Sequence, residues 1–210
     1  RIMKIGIVGN GFVGSSVAFG FSPQTGCDAE IKIYDKDETK STHTLSETLE
    51  SDFIFVSVPT PSNSDGSINL DIIYECFHEL LRSTVVPGTT RKLKNKFRNL
   101  NIVFNPEFLT ERSAKFDFIN QSRFIMGGKQ TDVEKVAKLY CDRFGTTTPV
   151  IKTNYETAEM IKYMNNCYFA TKVSFMNEMY QIADAAGVEW DMAVDGFIRY
   201  DEVGQDKLEV

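Results

Sequence analysis

Lys162 and Asn166 stand four residues apart in a stretch that no proline or glycine interrupts before Gly187. On a helix they share one face and can aim at a common atom. An ammonium and a carboxamide converging in this way stabilise a developing alkoxide, or the tetrahedral oxyanion that follows it, in a site sheltered from water. A solvated lysine beside a polar helix position is the plain alternative for such a pair. Near the amino end, Gly9-Asn10-Gly11-Phe12-Val13-Gly14 matches G-x-G-x-x-G. Glycines at those places allow a tight turn, close approach of backbone N–H groups to a pyrophosphate, and close packing of a helix on a strand, while the helix start adds a favourable dipole. Asp35 follows at about the twenty-residue spacing expected of a carboxylate that accepts ribose hydroxyls. Its charge repels a 2′-phosphate, so NAD is expected rather than NADP.

The elements that must position these groups alternate. Residues 4–8 read as a buried strand that the glycine loop hands to a helix over 12–21. A second strand over 30–34 ends on Asp35, and Thr44-Leu45-Ser46-Glu47 has capping-box spacing for a brief helix. A third strand over 53–58 is stopped by Pro59 and Pro61. Val58-Pro59-Thr60-Pro61 thus lies at a strand end, where ligands collect in open α/β sheets. Residues 101–104, 123–126 and 149–152 read as further strands, separated by helical patterns near 89–97, 110–118 and 131–144. The expected fold is α/β: a Rossmann-type, doubly wound parallel sheet. Only twelve residues separate Leu70 from Ser83, and they must supply a helix, a turn and a strand. Either that connection is unusually compact or residues are missing from it.

After residue 152 the pattern changes. Thr153-Asn154-Tyr155-Glu156 reads as a second capping box opening one helix of about thirty residues, roughly 45 Å long. Its apolar residues, among them Met160, Ile161, Met164, Tyr168, Phe175 and Met179, cover more than one face, so part of that surface is expected to meet a partner subunit and form a homodimer. The expected domains are an NAD-binding unit over 1–152 and a helical dimerisation unit over 153–210.

A formal charge of −6 supplies no basic field for nucleic acid or an anionic membrane. Cys27, Cys76, Cys141 and Cys167 form no C-x-x-C pair, so neither a metal site nor a disulfide framework is expected, and a reducing cytosol fits. Met3 reads as the native start, and the early glycines break the apolar stretch too soon for a signal or membrane helix. His43 and His78 lie outside every motif, so no imidazole base is expected. Cys167, about 100° round the helix from Asn166, reads as a buried structural thiol.

Five motifs in order, the glycine loop, Val58-Pro59-Thr60-Pro61, Ser83-Thr84-Val85-Val86-Pro87-Gly88-Thr89, Asn105-Pro106-Glu107-Phe108-Leu109-Thr110-Glu111 and Lys162-x-x-x-Asn166, resemble the UDP-glucose/GDP-mannose dehydrogenase family over nearly the whole chain. The resemblance implies oxidation of a UDP-hexose at C6 to the uronic acid by two NAD⁺ and water, in the service of polysaccharide biosynthesis. It also implies roles: Glu107 assists a hydrolytic step, Thr84 positions water, and Glu111, Ser83 and Thr60 lie against the cofactor. Phe108 and Leu109 line the nucleotide-sugar pocket, with Glu107, Lys162 and Asn166 also at the substrate. Lys162-Tyr163-Met164-Asn165-Asn166 is similar as well to the β-hydroxyacid dehydrogenases, although N-P-E-F-L and V-P-T-P are not. Family members carry a nucleophilic cysteine in a G-G-x-C-x-P-K-D motif that these 210 residues do not contain, leaving two readings: part of a complete dehydrogenase, which is favoured, or a non-catalytic NAD-binding relative.

Overall fold

Alternating strands and helices build the expected layers. The computed structural model describes residues 2–59, 64, 80–81 and 87–198. Cα proximity divides the chain into two units, Arg1–Tyr163 and Met164–Val210. The first holds a seven-stranded Rossmann sheet of β1 (Met3–Val8), β2 (Ala29–Tyr34), β3 (Phe53–Val56), β4 (Leu80–Leu81), β5 (Val103–Phe104), β6 (Phe124–Gly128) and β7 (Val150–Thr153), in the order β2-β1-β3-β4-β5-β6-β7. Ile5 of β1 sits opposite Ile31 on one side and Phe53 on the other.

Both faces of the sheet are buried, so the strands are apolar at successive positions. Phe55 faces a cluster with Ile5, Ile7, Phe21, Phe118 and Tyr140, while its neighbours Ile54 and Val56 face another with Leu93, Ile102 and Ala158. Helices α1 (Phe12–Gly20), α4 (Ala114–Ile119) and α5 (Gln130–Phe144) supply side chains to the first cluster. The second draws on α2 (Leu45–Leu49), α3 (Thr89–Lys96) and the start of α6 (Tyr155–Ala185). Gly6 and Gly20 set two of these contacts. A Cβ on Gly6 would lie 2.6 Å from the Thr48 carbonyl oxygen, and one on Gly20 would lie 2.3 Å from the Phe118 ring.

Three local expectations are corrected. The sheet is not parallel throughout, because β5 and β6 pair antiparallel, Val103 opposite Gly128. Between them α4 has six residues, about 9 Å of helix, too short to carry the chain back across the sheet, so it re-enters from the edge it left. The box expected at Thr44 and Glu47 forms, but that at Thr153 does not. Thr153 is held in β7 opposite Gly127, so the helix is capped one residue later, with Asn154 Oδ1 accepting from Thr157 N at 2.8 Å. Cys167 is exposed and free. The buried positions of α6 in the first unit are Tyr155, Ala158, Glu159 and Lys162, a stripe from which position 167 is turned away. Of the helix, turn and strand expected between Leu70 and Ser83, the strand is β4 at Leu80–Leu81, and the rest of that link lies outside the described residues.

In the second unit, α6 ends at Ala185 and Gly187 takes φ +68°, letting Val188 N donate to Ala183 O at 2.9 Å. The chain then returns as α7 (Trp190–Ile198), which meets α6 through Tyr180–Trp190 and Phe175–Phe197 ring contacts at 5.4 and 6.4 Å. Among the described residues no helix is long and apolar enough to cross a membrane, and no group of His, Cys, Asp and Glu could hold a metal ion.

Candidate functional site

The glycine loop is shaped by contacts that only hydrogen side chains allow. Gly9 has φ +92°, its N–H donates to Tyr34 O at 2.9 Å, and a Cβ there would meet Ser57 O at 2.5 Å. At Gly14 a Cβ would lie 1.9 Å from Gly9 O, so the first turn of α1 packs directly on the loop. Gly11 differs: among the described residues nothing lies within 4 Å of where its Cβ would be. It is also the N-cap of α1, and among the described residues no side chain caps the helix, so the first-turn N–H groups lack a side-chain acceptor and have the helix dipole behind them. Beside the loop, the buried Ser57 Oγ and Asn10 Oδ1 have no hydrogen-bond partner among the described residues. The first-turn amides and the helix dipole fit a pyrophosphate, and Asn10 Oδ1, an acceptor, suits a hydroxyl instead.

Asp35 is brought to the same place. Its Oδ2 accepts from Asn10 N at 2.6 Å and its Oδ1 from Asp37 N at 2.8 Å, while Ser41 Oγ accepts from Asp35 N at 2.8 Å. Each carboxylate oxygen keeps a further lone pair. The carboxylate is thus oriented by backbone at both ends and half-buried at the tip of β2. Val58, buried, and Pro59, exposed, follow β3 at the same carboxyl edge. Thr60, Ser83 and Thr84 lie outside the described residues.

Three strand spacings from β1 along that edge, about 14 Å at ~4.8 Å each, the chain leaves β5 through the N-P-E-F-L segment. Asn105 pins the exit: its Nδ2 donates to Ile125 O at 2.8 Å and its Oδ1 accepts from Tyr140 OH at 2.6 Å, all buried. Glu107 Oε2 then accepts from Leu109 N at 2.6 Å, folding the segment back on itself. Lys162 meets it from α6, donating to Glu107 O at 2.5 Å and to Glu107 Oε1 at 3.3 Å. The two side chains are 6% and 11% exposed, which makes this a sealed ion pair. Phe108 presents its ring to two cations, Lys162 Nζ at 5.2 Å and the Arg123 guanidinium at 4.7 Å. Leu109 packs on the core, and Glu111 is exposed.

The structure therefore unites Glu107, Phe108 and Lys162, and separately Asn10, Gly11, Gly14 and Asp35. Asn166 belongs to the second unit and is exposed. Sequence reasoning gave no role to four residues that hold these groups. Asn105 fixes the start of the N-P-E-F-L segment. Asp117 accepts from Thr110 N at 2.9 Å, from Thr110 Oγ1 and from Ser113 Oγ, holding the turn that carries Glu111. Burial alone would raise the Asp117 pKa, yet those bonds outweigh it and keep the carboxyl below the usual range. Arg123 stacks on Phe108. Glu159, fully buried, accepts from Gly88 N at 2.6 Å, Thr90 N at 2.7 Å and Thr90 Oγ1 at 2.6 Å. The i, i+3 spacing of Glu159 and Lys162 was the only signal available.

Comparison with known proteins matches this geometry. Residues 36–143 match the NAD binding domain of the UDP-glucose/GDP-mannose dehydrogenase family, and residues 156–209 match its central domain. UDP-glucose 6-dehydrogenase AglM of Haloferax volcanii is 30% identical over 242 residues, covering 89% of this chain and 56% of its own length. A GDP-mannose dehydrogenase from Pseudomonas aeruginosa superposes with a TM-score of 0.78 at 26% identity, over 92% of this chain and 56% of its own. A UDP-glucose dehydrogenase from Pyrobaculum islandicum shares the fold at TM-score 0.83 and 22% identity, over 99% of this chain and 59% of its own. This chain spans between 25% and 56% of the length of the first two curated relatives it matches. The glycine loop lies before the first matched residue, so its reading rests on the geometry above. The chain belongs to the UDP-glucose/GDP-mannose dehydrogenase family, and its larger unit carries that family's NAD-binding Rossmann fold.

Proposed function

We propose that this chain is the cofactor-binding and oxyanion-stabilising part of an enzyme that oxidises the C6 alcohol of a nucleotide sugar, a UDP-hexose such as UDP-glucose, to the uronic acid. The overall conversion consumes one sugar nucleotide, two NAD⁺ and one water and releases two NADH. NAD⁺, when bound, accepts hydride from the carbon being oxidised. The amides of Gly11, Phe12 and Val13 hold its pyrophosphate, and Asp35 accepts from the adenosine ribose. Asn10, Gly9, Gly14, Val58 and Pro59 complete that cleft, and the family resemblance assigns Thr60, Ser83 and Glu111 to the cofactor.

The observation that carries this reading is the sealed pair of Lys162 and Glu107 beside Phe108. A buried ammonium is poised to stabilise an alkoxide when the proton leaves the C6 hydroxyl, and again to stabilise the tetrahedral oxyanion that follows. By the family resemblance, Asn166 is assigned the role of a second donor to the oxyanion. Glu107 serves the hydrolytic step as a base, with Thr84 holding the water. Phe108 and Leu109 border the sugar, while the cations on Phe108 favour a substrate that carries phosphate. Complete oxidation draws on a cysteine nucleophile outside these 210 residues.

The exposed apolar surface of α6, including Met164 at 61% and Tyr168 at 58%, supports a homodimer through this helix. Domain boundaries near residue 152 and a cytosolic setting complete the reading. Two measurements test it. Calorimetry should show NADH binding by the folded chain, and a panel of nucleotide sugars should release NADH with the complete natural protein. No affinity for NAD⁺ or NADH in a folded sample, or turnover of small β-hydroxyacids alone, overturns it.

A further inference from the structure

Glu159 is a carboxylate with no exposure to solvent, and the reaction as read above gives it no task. Burying an ionised carboxylate is expensive unless its lone pairs are filled. Here three donors fill them, and all three belong to one short segment: Gly88 N, Thr90 N and Thr90 Oγ1. That segment is the start of α3, whose N-cap, Gly88, sits at φ +96° and has no side chain of its own to offer. Glu159 therefore caps α3 from another helix, placing its charge at the positive end of the α3 dipole. One turn away along α3, Arg91 forms a second tie to α6, pairing with both oxygens of Glu156.

Lys162 lies three residues beyond Glu159 on α6, about 4.5 Å along the axis and on the same buried stripe. The clamp to α3 and the contact with Glu107 are consequently made by successive turns of one rigid element. Glu107 itself is fixed independently through Asn105 and the sheet. The separation of Lys162 from Glu107 then depends on how far α6 is advanced along the sheet, and the clamp sets that distance.

We propose that Glu159 is the positioning residue for Lys162, locking α6 to the amino end of α3 so that the ammonium is delivered to Glu107 at hydrogen-bond range. This deepens the reading of Lys162 as the oxyanion-stabilising cation and rests on it. A misplacement of about 1 Å costs roughly a hundredfold in rate where reacting groups must align.

The test compares Glu159→Gln, Thr90→Val and Thr90→Ser with the wild-type protein. Gln turns an N–H pair toward donors, Val deletes one of the three bonds, and Ser retains it. Competitive acetylation read by mass spectrometry reports Lys162 accessibility relative to exposed Lys138. Glu159→Gln should raise the relative rate at Lys162 by roughly fivefold or more through local opening, Thr90→Val should raise it less, and Thr90→Ser should leave it protected. NADH affinity should stay within about twofold in all three, because the glycine loop is untouched, and in the complete enzyme kcat should fall by about 10–100-fold with the KM for NAD⁺ unchanged. Lys162 protection equal to wild type in folded Glu159→Gln overturns the proposal, as does equal protection in Thr90→Val should the first variant not fold. The acetylation readout does not depend on turnover. An enzyme inert toward every nucleotide sugar would sink the proposed function while the positioning of Lys162 still received its own answer.

Discussion

Lys162 Nζ lies 3.3 Å from Glu107 Oε1, and both side chains are almost sealed from solvent. A buried pair of this kind adds little over an apolar replacement, but removing one partner strands the other charge. Lys162→Met should therefore destabilise the fold by about 3 kcal/mol. Glu107→Gln should cost less, about 1 kcal/mol, because Lys162 keeps the Glu107 carbonyl and the Phe108 ring. The double variant should cost less than the sum. Urea unfolding of all four proteins checks this, and additivity would show the pair to be uncoupled.

Gly11 and Gly14 should separate folding from binding. Gly14→Ala places a methyl 1.9 Å from Gly9 O, so it should distort the loop and lower the melting temperature. Gly11→Ala meets nothing within 4 Å, so thermal stability should hold while NADH affinity falls, because the methyl occupies the space assigned to the pyrophosphate. Parallel melting and calorimetry on the two variants decide the matter. Equal NADH affinity in Gly11→Ala and wild type counts against the assignment.

Asp35 offers a test of cofactor choice. Replacing it by Asn keeps an acceptor but removes the charge, and a charge-assisted hydrogen bond is worth about 1.5–3 kcal/mol, or roughly 10–100-fold in affinity. NADH should bind that much more weakly to Asp35→Asn, and the preference over NADPH should shrink. An unchanged preference would mean that another group reads the ribose.

Tyr155 should confer alkaline sensitivity. Burial, reinforced by the Asp132 carboxylate, pushes its pKa up to about 12 from 10.0, and its hydroxyl donates to Ile102 O at 2.7 Å. Because the folded state favours the neutral phenol, its contribution is whole below pH 10 and is lost as pH rises through 12. The full linkage is about 3 kcal/mol. Tyr155→Phe should be less stable at neutral pH, by about 1 kcal/mol for the lost hydrogen bond, yet decline less between pH 10 and 12. Identical slopes for the two proteins in that window would locate the sensitivity elsewhere.

Association should depend on α6. Met164→Glu introduces a charge on its exposed apolar surface, and sedimentation should show a wild-type dimer and a monomeric variant with unchanged helix content. A monomeric wild-type protein at micromolar concentration removes the proposed homodimer.

Much of this molecule is legible in the order of its residues because the signals are local. Glycines at 9 and 14 announce a loop that side chains would block, and the atoms a Cβ would meet at both positions agree, whereas Gly11 stands at a clearance. The absence of helix breakers after residue 153 sets the 31-residue length of α6. Chain order cannot, however, report what meets across the fold. The antiparallel entry of β6 follows from the shortness of α4 and the packing it makes, and the cap of α6 shifted to Asn154 because β7 claimed Thr153. Glu159 looks like any helix-surface glutamate until α3 lies against it, 69 residues away in sequence at Thr90. Backbone conformation is dictated by neighbours along the chain, whereas the burial and pairing of a charge are decided by whatever the completed fold brings beside it.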